Sequence, residues 1–252
     1  NNLGEFYGNE VEFNTNAEAS LFNCNGNPVP TIVYGTQEWT VENACHITYR
    51  DGTPIRQITT SSGGWNGTSR GAWCYYNDDP TKPILYNWYA IVGIHDAASF
   101  EDPSLRKEFA PEGWHVPTEI EWRTLTEFLI DNGYNYDGTT NTSSPNNKLA
   151  KAMASTTGWN NYQSILGGEP GTDQSSNNSS GFNAFPEGKA SAGSIPLFQN
   201  EGKNAYFWCG GIVNTYANSI AATRYIDFNY STVWHSTSGK DFGLSVRLVK
   251  DN

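Results

Sequence analysis

Residues 110–122 read APEGWHVPTEIEW and hold the strongest structural signal of the chain. The second half of this stretch predicts a helix over 118–130, because Thr118 can cap the first turn and Glu121 follows three residues later. The apolar residues that continue the pattern share one helical face, namely Trp122, Leu125 and Leu129. Gly133 follows Asn132 and supplies a stop signal. The best-defined helix of the chain therefore begins directly after this motif.

Short strand-like segments surround this helix on both sides, and a second, weaker helix is predicted over 147–154. Residues 95–108 and 171–180 are polar and are predicted to be loops. The predicted strands or strand-like segments cover 31–35, 37–43, 47–49, 72–76, 85–90, 205–208, 224–229 and 244–249. Since no segment has a β-α-β rhythm, the prediction is an α+β fold with short strands, two helices and long ordered loops. An irregular lead-in over 1–30 precedes a single domain over 31–252.

Composition limits the classes of partner. Aromatic residues make up 14% of the 252 residues, charged residues make up 16%, and the formal net charge is −11. A surface this acidic repels phosphate backbones and anionic lipids, so we expect no nucleic-acid partner. No apolar run approaches the roughly 18 residues of a membrane helix, so no membrane-spanning segment is expected.

The four cysteines are Cys24, Cys45, Cys74 and Cys209, and none belongs to a CxxC pair. A zinc site of the usual spacing is therefore not predicted. Four cysteines allow three complete disulfide pairings, and the sequence does not choose among them. Free buried thiols are an equal alternative.

A series of motifs in fixed order resembles a known family, the Fibrobacter succinogenes major paralogous domain family. The resemblance covers about residues 31–250. The matching segments are 35–43 (GTQEWTVEN), 72–77 (AWCYYN), 85–90 (LYNWYA), 110–122, 181–184 (GFNA), 206–208 (YFW), 224–225 (RY) and 243–250 (GLSVRLVK). The tryptophans inside these motifs are expected to be core residues: Trp39, Trp73, Trp88, Trp114, Trp122 and Trp208.

The resemblance implies a C-type-lectin-like fold of the variant shared with formylglycine-generating enzymes. It also implies a secreted or cell-surface location, with a virion surface as the alternative. Domains of this kind serve as variable proteins of diversity-generating retroelements, in which adenine-directed mutation changes a C-terminal region. The implied function is ligand binding through a variable C-terminal face.

Two departures from the family pattern locate the expected binding face. Members usually continue after Phe-Trp with serines, whereas this chain continues with Cys209; members also carry an Asn-rich run where this chain has residues 234–239. We expect loops over 209–223 and 234–238 to form the face, with Trp234 and Tyr216 as exposed aromatic contacts. The predicted ligand-binding residues are Cys209, Gly210, Gly211, Ile212, Val213, Tyr216, Ala221, Ala222, Thr223, Trp234, His235, Ser236, Thr237 and Ser238.

Catalysis is not expected. His115 stands beside Trp114 just before the helix, where a lone histidine is more often a hydrogen-bonding partner than a base. His235 falls in the expected binding face and is predicted to contact ligand. The enzyme alternative is a formylglycine-generating-type oxidase, which needs a close pair of reactive cysteines near the C-terminus. Only Cys209 lies there.

No cofactor is predicted, and calcium stays open as the one candidate ion. Asp78 with Asp79, or Asp131 with Asp137, could hold Ca²⁺ together with loop carbonyls, although their spacing does not match an EF-hand loop. The functional prediction is a protein that binds a protein ligand reversibly, and the alternative is a glycan-binding or adhesion protein without diversification.

Overall fold

The structure is a computed structural model that describes residues 26–62, 65, 69–191, 193, 197–211 and 219–251. Its strands are β1 Thr31–Tyr34, β2 Gln37–Thr40, β3 Arg56–Gln57, β4 Ala72–Tyr75, β5 Ile84–Tyr86, β6 Trp114–His115, β7 Lys189–Ser191, β8 Leu197–Gln199, β9 Asn204–Trp208, β10 Ile220–Asp227, β11 Val233–Gly239 and β12 Val249–Lys250. Its α-helices are α1 Trp88–Ile91, α2 Ala97–Glu101, α3 Glu119–Asp131 and α4 Ala150–Met153. Short 3-10 turns lie at Thr60–Ser62, Tyr76–Asp78, Pro103–Leu105, Ser144–Asn146 and Gln174–Ser176.

The strands form small and mostly antiparallel sheets, which confirms the α+β prediction. One sheet has the order β1-β2-β12-β6, a second has the order β11-β10-β9, a third has the order β3-β4-β5, and β7 pairs with β8. The only parallel pair among these named strands joins β3 to β4. Strand β12 lies between β2 and β6, and its residue Val249 is opposite Trp39 on one side and His115 on the other.

Helix α3 forms as its sequence predicts. The Thr118 hydroxyl accepts a hydrogen bond from the Glu121 amide at 3.3 Å, and the Glu121 carboxylate accepts one from the Thr118 amide at 2.8 Å. This reciprocal capping box satisfies two amides that the first helical turn leaves without partners. The apolar face of the helix is buried at Trp122, Leu125, Leu129 and Ile130.

The motif tryptophans are core residues, as expected. Trp39, Trp73, Trp88, Trp114, Trp122 and Trp208 are all buried. Side chains of the terminal segment 244–249 alternate between two clusters, since Leu244, Val246 and Leu248 pack in one and Val249 packs in another. Only its last part pairs as a regular strand.

Several local predictions were wrong in type or length. The expected loop over 234–238 is part of β11, and the expected loop over 209–223 contains the first half of β10. The expected loop over 95–108 contains α2, because Asp96 and Ser99 form a capping box. The predicted helix over 147–154 is only the single turn of α4, and residues 47–49 contribute an isolated bridge from Thr48 to Pro54 rather than a strand.

Three cysteines lie in the part of the chain that the structure describes. Cys45 is disulfide-bonded, and Cys74 and Cys209 are buried free thiols. Among the described residues, no helix has the length and apolar character needed to cross a membrane.

Candidate binding face

The sheet β11-β10-β9 separates two environments by strand alternation. In register, Tyr225 of β10 lies opposite Tyr206 of β9 and Trp234 of β11. Side chains of one parity, including Phe207 and Ile226, pack into the core that α3 covers. We call this the inner face. The opposite parity carries Tyr206, Tyr225 and Trp234, and we call it the outer face.

An aromatic row crosses the outer face. The rings of Tyr206 and Tyr225 have centroids 5.5 Å apart, and Tyr225 stacks on Trp234 with centroids 6.2 Å apart and planes inclined by 16°. Tyr230 continues the row with an edge contact to Trp234 at 5.9 Å. Cross-strand aromatic pairs of this kind stabilise a sheet face and hold the rings in fixed positions. The row is therefore a rigid, partly exposed platform.

A cavity of about 500 Å³ opens on this platform. Its volume falls in the range of small-molecule sites, which is roughly 300–1,000 Å³. The lining combines aromatic rings with amide, hydroxyl and charged groups. It consists of Lys189, Asn200, Lys203, Asn204, Tyr206, Thr223, Tyr225, Asp227, Phe228, Asn229, Tyr230, Ser236, Thr237 and Ser238.

Two buried polar atoms at the outer face have no hydrogen-bond partner among the described residues. They are the Oγ1 atom of Thr223 and the Nε1 atom of Trp234. Thr223 is 1% exposed and lines the cavity, whereas Trp234 stands behind Tyr225 in the aromatic row. A buried polar atom without a partner costs free energy. Both atoms are therefore candidates for a contact with bound water or ligand.

Charges and amides are held in place around the cavity. Asp227 accepts hydrogen bonds from the Asn204 side chain at 2.8 Å and from the Asn229 amide at 3.2 Å. Asn200 donates to the Tyr206 hydroxyl at 3.0 Å. Burial raises the pKa of Tyr206 and of Tyr225, and the nearby Asp227 charge acts in the same direction on both. The two phenols are therefore neutral donors and acceptors at neutral pH.

Five of the residues predicted to contact ligand are buried. Cys209, Ala221, Ala222 and Thr223 are at most 6% exposed, and Gly210 is buried as well. Cys209 and Ala222 belong to the core of the inner face, and Ala221 packs in the second core cluster. The expectation that these residues form an exposed face is therefore wrong, with the single qualification that Thr223 borders the cavity.

Gly210 illustrates why these positions are covered. Its amide donates to the Pro117 carbonyl at 2.8 Å, which ties the end of β9 to the start of α3. A Cβ atom at this position would lie 2.5 Å from the Val116 carbonyl oxygen. Position 210 therefore has no room for a side chain and cannot be a variable position.

The remaining predicted contacts divide into three groups. Gly211 and His235 are exposed, and Trp234 is half-buried. Ser236, Thr237 and Ser238 are half-buried and line the cavity, as the prediction of a binding role requires. Ile212, Val213 and Tyr216 lie outside the described residues.

His235 points away from the cavity. Its register places it on the inner parity, where its Nε2 atom pairs with Glu119 at the first turn of α3. The same carboxylate lies 3.9 Å from the buried guanidinium of Arg224. Glu119 therefore joins the helix to two strands of the sheet. His235 belongs to this connection rather than to the platform.

His115 is bound between two carboxylates. Its Nε2 atom lies 2.7 Å from Glu121 and its Nδ1 atom lies 2.6 Å from Asp251. The Glu121 hydrogen bond raises the pKa of His115, burial opposes that rise, and Asp251 adds to it. Burial acts to raise the pKa of Glu121, but the bonds from His115 and Thr118 outweigh it and lower that pKa. This arrangement favours the protonated imidazole and ties Asp251 to α3.

Of the four aspartates considered for calcium, Asp78, Asp79 and Asp137 have other partners. Asp78 accepts from the Thr60 amide at 2.9 Å, and Asp79 accepts from the Thr81 amide at 2.9 Å. Asp137 pairs with Lys148 and accepts from the Thr139 hydroxyl at 2.7 Å. Within the described ranges, no group of three or more His, Cys, Asp and Glu side chains has the arrangement of a metal site.

Sequence reasoning missed most of the platform. The sequence motifs place Tyr206 and Tyr225 in the scaffold, and no sequence pattern singles out Lys189, Asn200 or Asp227. The available signal was the alternation within 224–229, where Arg224 and Ile226 share one parity and Tyr225 and Asp227 share the other.

A family model described as the Fibrobacter succinogenes major domain matches residues 32–250 of this chain. The chain therefore belongs to that family, and the resemblance seen in its motifs is confirmed. No curated protein and no solved structure matches the chain.

Proposed function

We propose that this member of the Fibrobacter succinogenes major domain family is a binding protein that holds a glycan in the outer-face cavity. Binding is reversible and forms no covalent bond with the protein. The observation that carries the proposal is the aromatic row of Tyr206, Tyr225 and Trp234, which is continuous with a polar cavity of about 500 Å³.

The chemistry of the cavity favours a sugar over a protein segment. A pyranose ring has an apolar C–H face that stacks on an aromatic ring, and a rim of hydroxyl groups that needs donors and acceptors. Tyr225 supplies such a ring, and Asn204, Ser236 and Ser238 line the same cavity with amide and hydroxyl groups. Polar groups held at fixed positions beside an aromatic surface orient a small ligand and give the site its specificity.

The unpartnered hydroxyl of Thr223 supports the same proposal. Thr223 lines the cavity, and the neighbouring strands fix its backbone through the pairs Thr223 to Trp208 and Thr223 to Ser236. A sugar hydroxyl bound beside Thr223 would give its covered hydroxyl group a partner once that side chain turns toward the cavity, which gives a ligand of this kind an advantage over an apolar one.

The finer fold is also part of the proposal. We propose that the frame is C-type-lectin-like, with the platform on the sheet β11-β10-β9. The pairing of the last strand β12 with β2 supports a closed frame of this kind, because it joins the two ends of the family match. A solved structure that superposes on C-type-lectin domains would support the assignment, and one that does not would refute it.

For location, we propose secretion or attachment to the cell surface. The disulfide of Cys45 supports this, since disulfides persist in oxidising compartments and are rare in the cytosol. Fractionation of the natural host with an antibody to the chain tests the location directly. Recovery in the cytosolic fraction alone would contradict it.

A narrower form of diversification is proposed as well. Positions 235–238 lie on the edge strand β11 with exposed or half-buried side chains, so they can vary at low cost. Positions 209, 210 and 222 are packed and cannot vary freely. This proposal is tested by comparing the sequences of copies of the gene that lie next to a reverse-transcriptase gene. Substitutions concentrated at positions 209, 210 and 222 would contradict the proposed diversification at 235–238.

The proposed function is tested by glycan-array screening followed by calorimetry with Tyr225→Ala. This change removes the central ring of the platform, and we expect the affinity for any glycan that binds to fall at least tenfold, or about 1.4 kcal/mol. The Tyr225 ring lies on a partly exposed face, so the melting temperature of the variant should stay close to that of the wild type.

Tyr136→Ala is the matched control. Tyr136 is an exposed tyrosine with Lys148 over its ring, and it does not line the cavity. Its loss should leave glycan affinity unchanged. The proposal is wrong if no glycan binds, or if Tyr225→Ala and Tyr136→Ala have equal effects.

A further inference from the structure

Lys189 is a cation held at the edge of the cavity by fixed backbone on both sides. The amide of Gly188 donates to the Asn204 carbonyl at 2.9 Å, and Ala190 exchanges two hydrogen bonds with Gly243 at 2.9 and 2.8 Å. Strand β7 is thereby attached to β9 on one side and to the segment before β12 on the other. The position of Lys189 relative to the aromatic row is set by the fold.

The ammonium group of Lys189 lies among aromatic rings. Its Nζ atom is 5.2 Å from the ring centroid of Tyr206 and 5.2 Å from that of Phe242. These distances are within the range of cation–π attraction, which is roughly 6 Å. The stem of the side chain is covered while its charge remains at the cavity, since Lys189 is half-buried and lines it.

No carboxylate among the described residues pairs with Lys189. Other lysines of the chain have such partners: Lys82 pairs with Glu201, Lys107 with Asp51 and Lys148 with Asp137. Burial lowers the pKa of Lys189, and no neighbouring carboxylate opposes that effect. A half-buried cation without a counter-ion is costly, and a ligand anion would relieve that cost.

The acidic residue of the cavity does not fill this role. Asp227 accepts hydrogen bonds from Asn204 and Asn229, so both of its oxygens have partners within the chain. The second lysine of the lining, Lys203, is exposed and forms no ion pair among the described residues. The cavity therefore offers one half-buried cation, Lys189, and one exposed cation, Lys203, to a ligand.

We propose that the glycan is acidic, with a single sugar carboxylate paired to Lys189 while its ring stacks on the tyrosines of the outer face. This inference rests on the proposed glycan-binding function and names the class of sugar. The ligand is a uronic-acid-type or sialic-acid-type glycan. A densely sulfated polymer is disfavoured, because the chain carries a net charge of −11 and would repel a long polyanion.

The test uses two pairs of probes that differ in charge at nearly constant shape. One pair is a galacturonic-acid trisaccharide and its full methyl ester, and the other is sialyllactose and lactose. We expect the wild-type chain to prefer the acidic member of at least one pair by about tenfold, since charge-assisted hydrogen bonds have this strength. The preference should shrink as salt is added.

Lys189→Met removes the charge and keeps an apolar stem against Tyr206 and Phe242. In this variant the preference for the acidic probe should fall to about unity, and Lys189→Arg should retain most of it. Lys148→Met is the matched control, since Lys148 does not line the cavity, and it should leave the preference unchanged. Melting temperatures of all variants establish that each is folded.

The outcomes separate this inference from the function on which it rests. Equal binding of both members of each pair, or an acidic preference that survives in Lys189→Met, overturns the assignment of an acidic glycan and leaves glycan binding intact. Binding of neutral glycans alone does the same. Absence of binding to any glycan, acidic or neutral, overturns both.

Discussion

The two faces of the sheet β11-β10-β9 use the same strands and differ in almost every other respect. Arg224 and Ile226 point to the inner face and are buried beneath α3, whereas Tyr225 and Asp227 point to the outer face and border a cavity. Adjacent residues on one strand therefore have opposite roles. Between Arg224 and Asp227, strand parity therefore decides whether a side chain packs in the core or borders the cavity.

The largest expected effect is on the inner face. Phe207→Ala removes a ring that is 1% exposed and contacts Trp122 and Phe182 at 5.5 and 5.9 Å between centroids. We expect a loss of about 3–5 kcal/mol in the free energy of unfolding, because the core cannot close the resulting cavity. Urea unfolding measures this loss, and the folded fraction should bind glycan as the wild type does.

The neighbouring substitution Tyr206→Ala provides the contrast. Tyr206 is on the outer face, so its loss should reduce glycan affinity and cost less stability than the loss of Phe207. If Phe207→Ala proves the milder of the two in urea, the assignment of the faces is wrong.

A smaller effect is expected at His115, which lies on neither face. The raised pKa of His115 means that its protonated form is favoured in the folded state. Its contribution to stability is fully present below the unfolded pKa of about 6.5 and is lost as pH rises through the higher folded pKa. Because the side chain is 36% exposed, solvent screening limits the effect to less than about 1 kcal/mol.

His115→Gln should remove this part of the pH dependence without changing glycan affinity. Thermal unfolding of both proteins between mildly acidic and mildly alkaline pH provides the measurement. The wild type should lose its advantage over the variant as pH rises. An advantage that grows with pH would contradict the ion pairs to Glu121 and Asp251.

Local signals made part of the fold predictable. Helix α3 depends on Thr118 and Glu121, which are three residues apart and cap the first turn without help from distant residues. The burial of Trp39 and Trp122 followed from their place in motifs of the family. Features of this kind can be predicted because they depend on residues close together in the sequence.

Other features depend on distant contacts. The segment 234–238 has few β-branched apolar residues and resembles a loop, yet residues Ala221 to Tyr225 of β10 pair with it and make it a strand. Lys189 reaches the cavity only because β7 is attached to Asn204 and Gly243. Which parity of β10 is covered depends on the packing of α3, and no local pattern states this.

NMR mapping of the backbone amides that shift when a glycan is titrated into the isotope-labelled chain tests the assignment of the site to the outer face. The perturbed residues should cluster at Tyr206, Tyr225, Asp227 and 236–238, with Lys189 beside them. Perturbations confined to 209–211 and the residues that follow, with the outer face unchanged, would contradict that assignment.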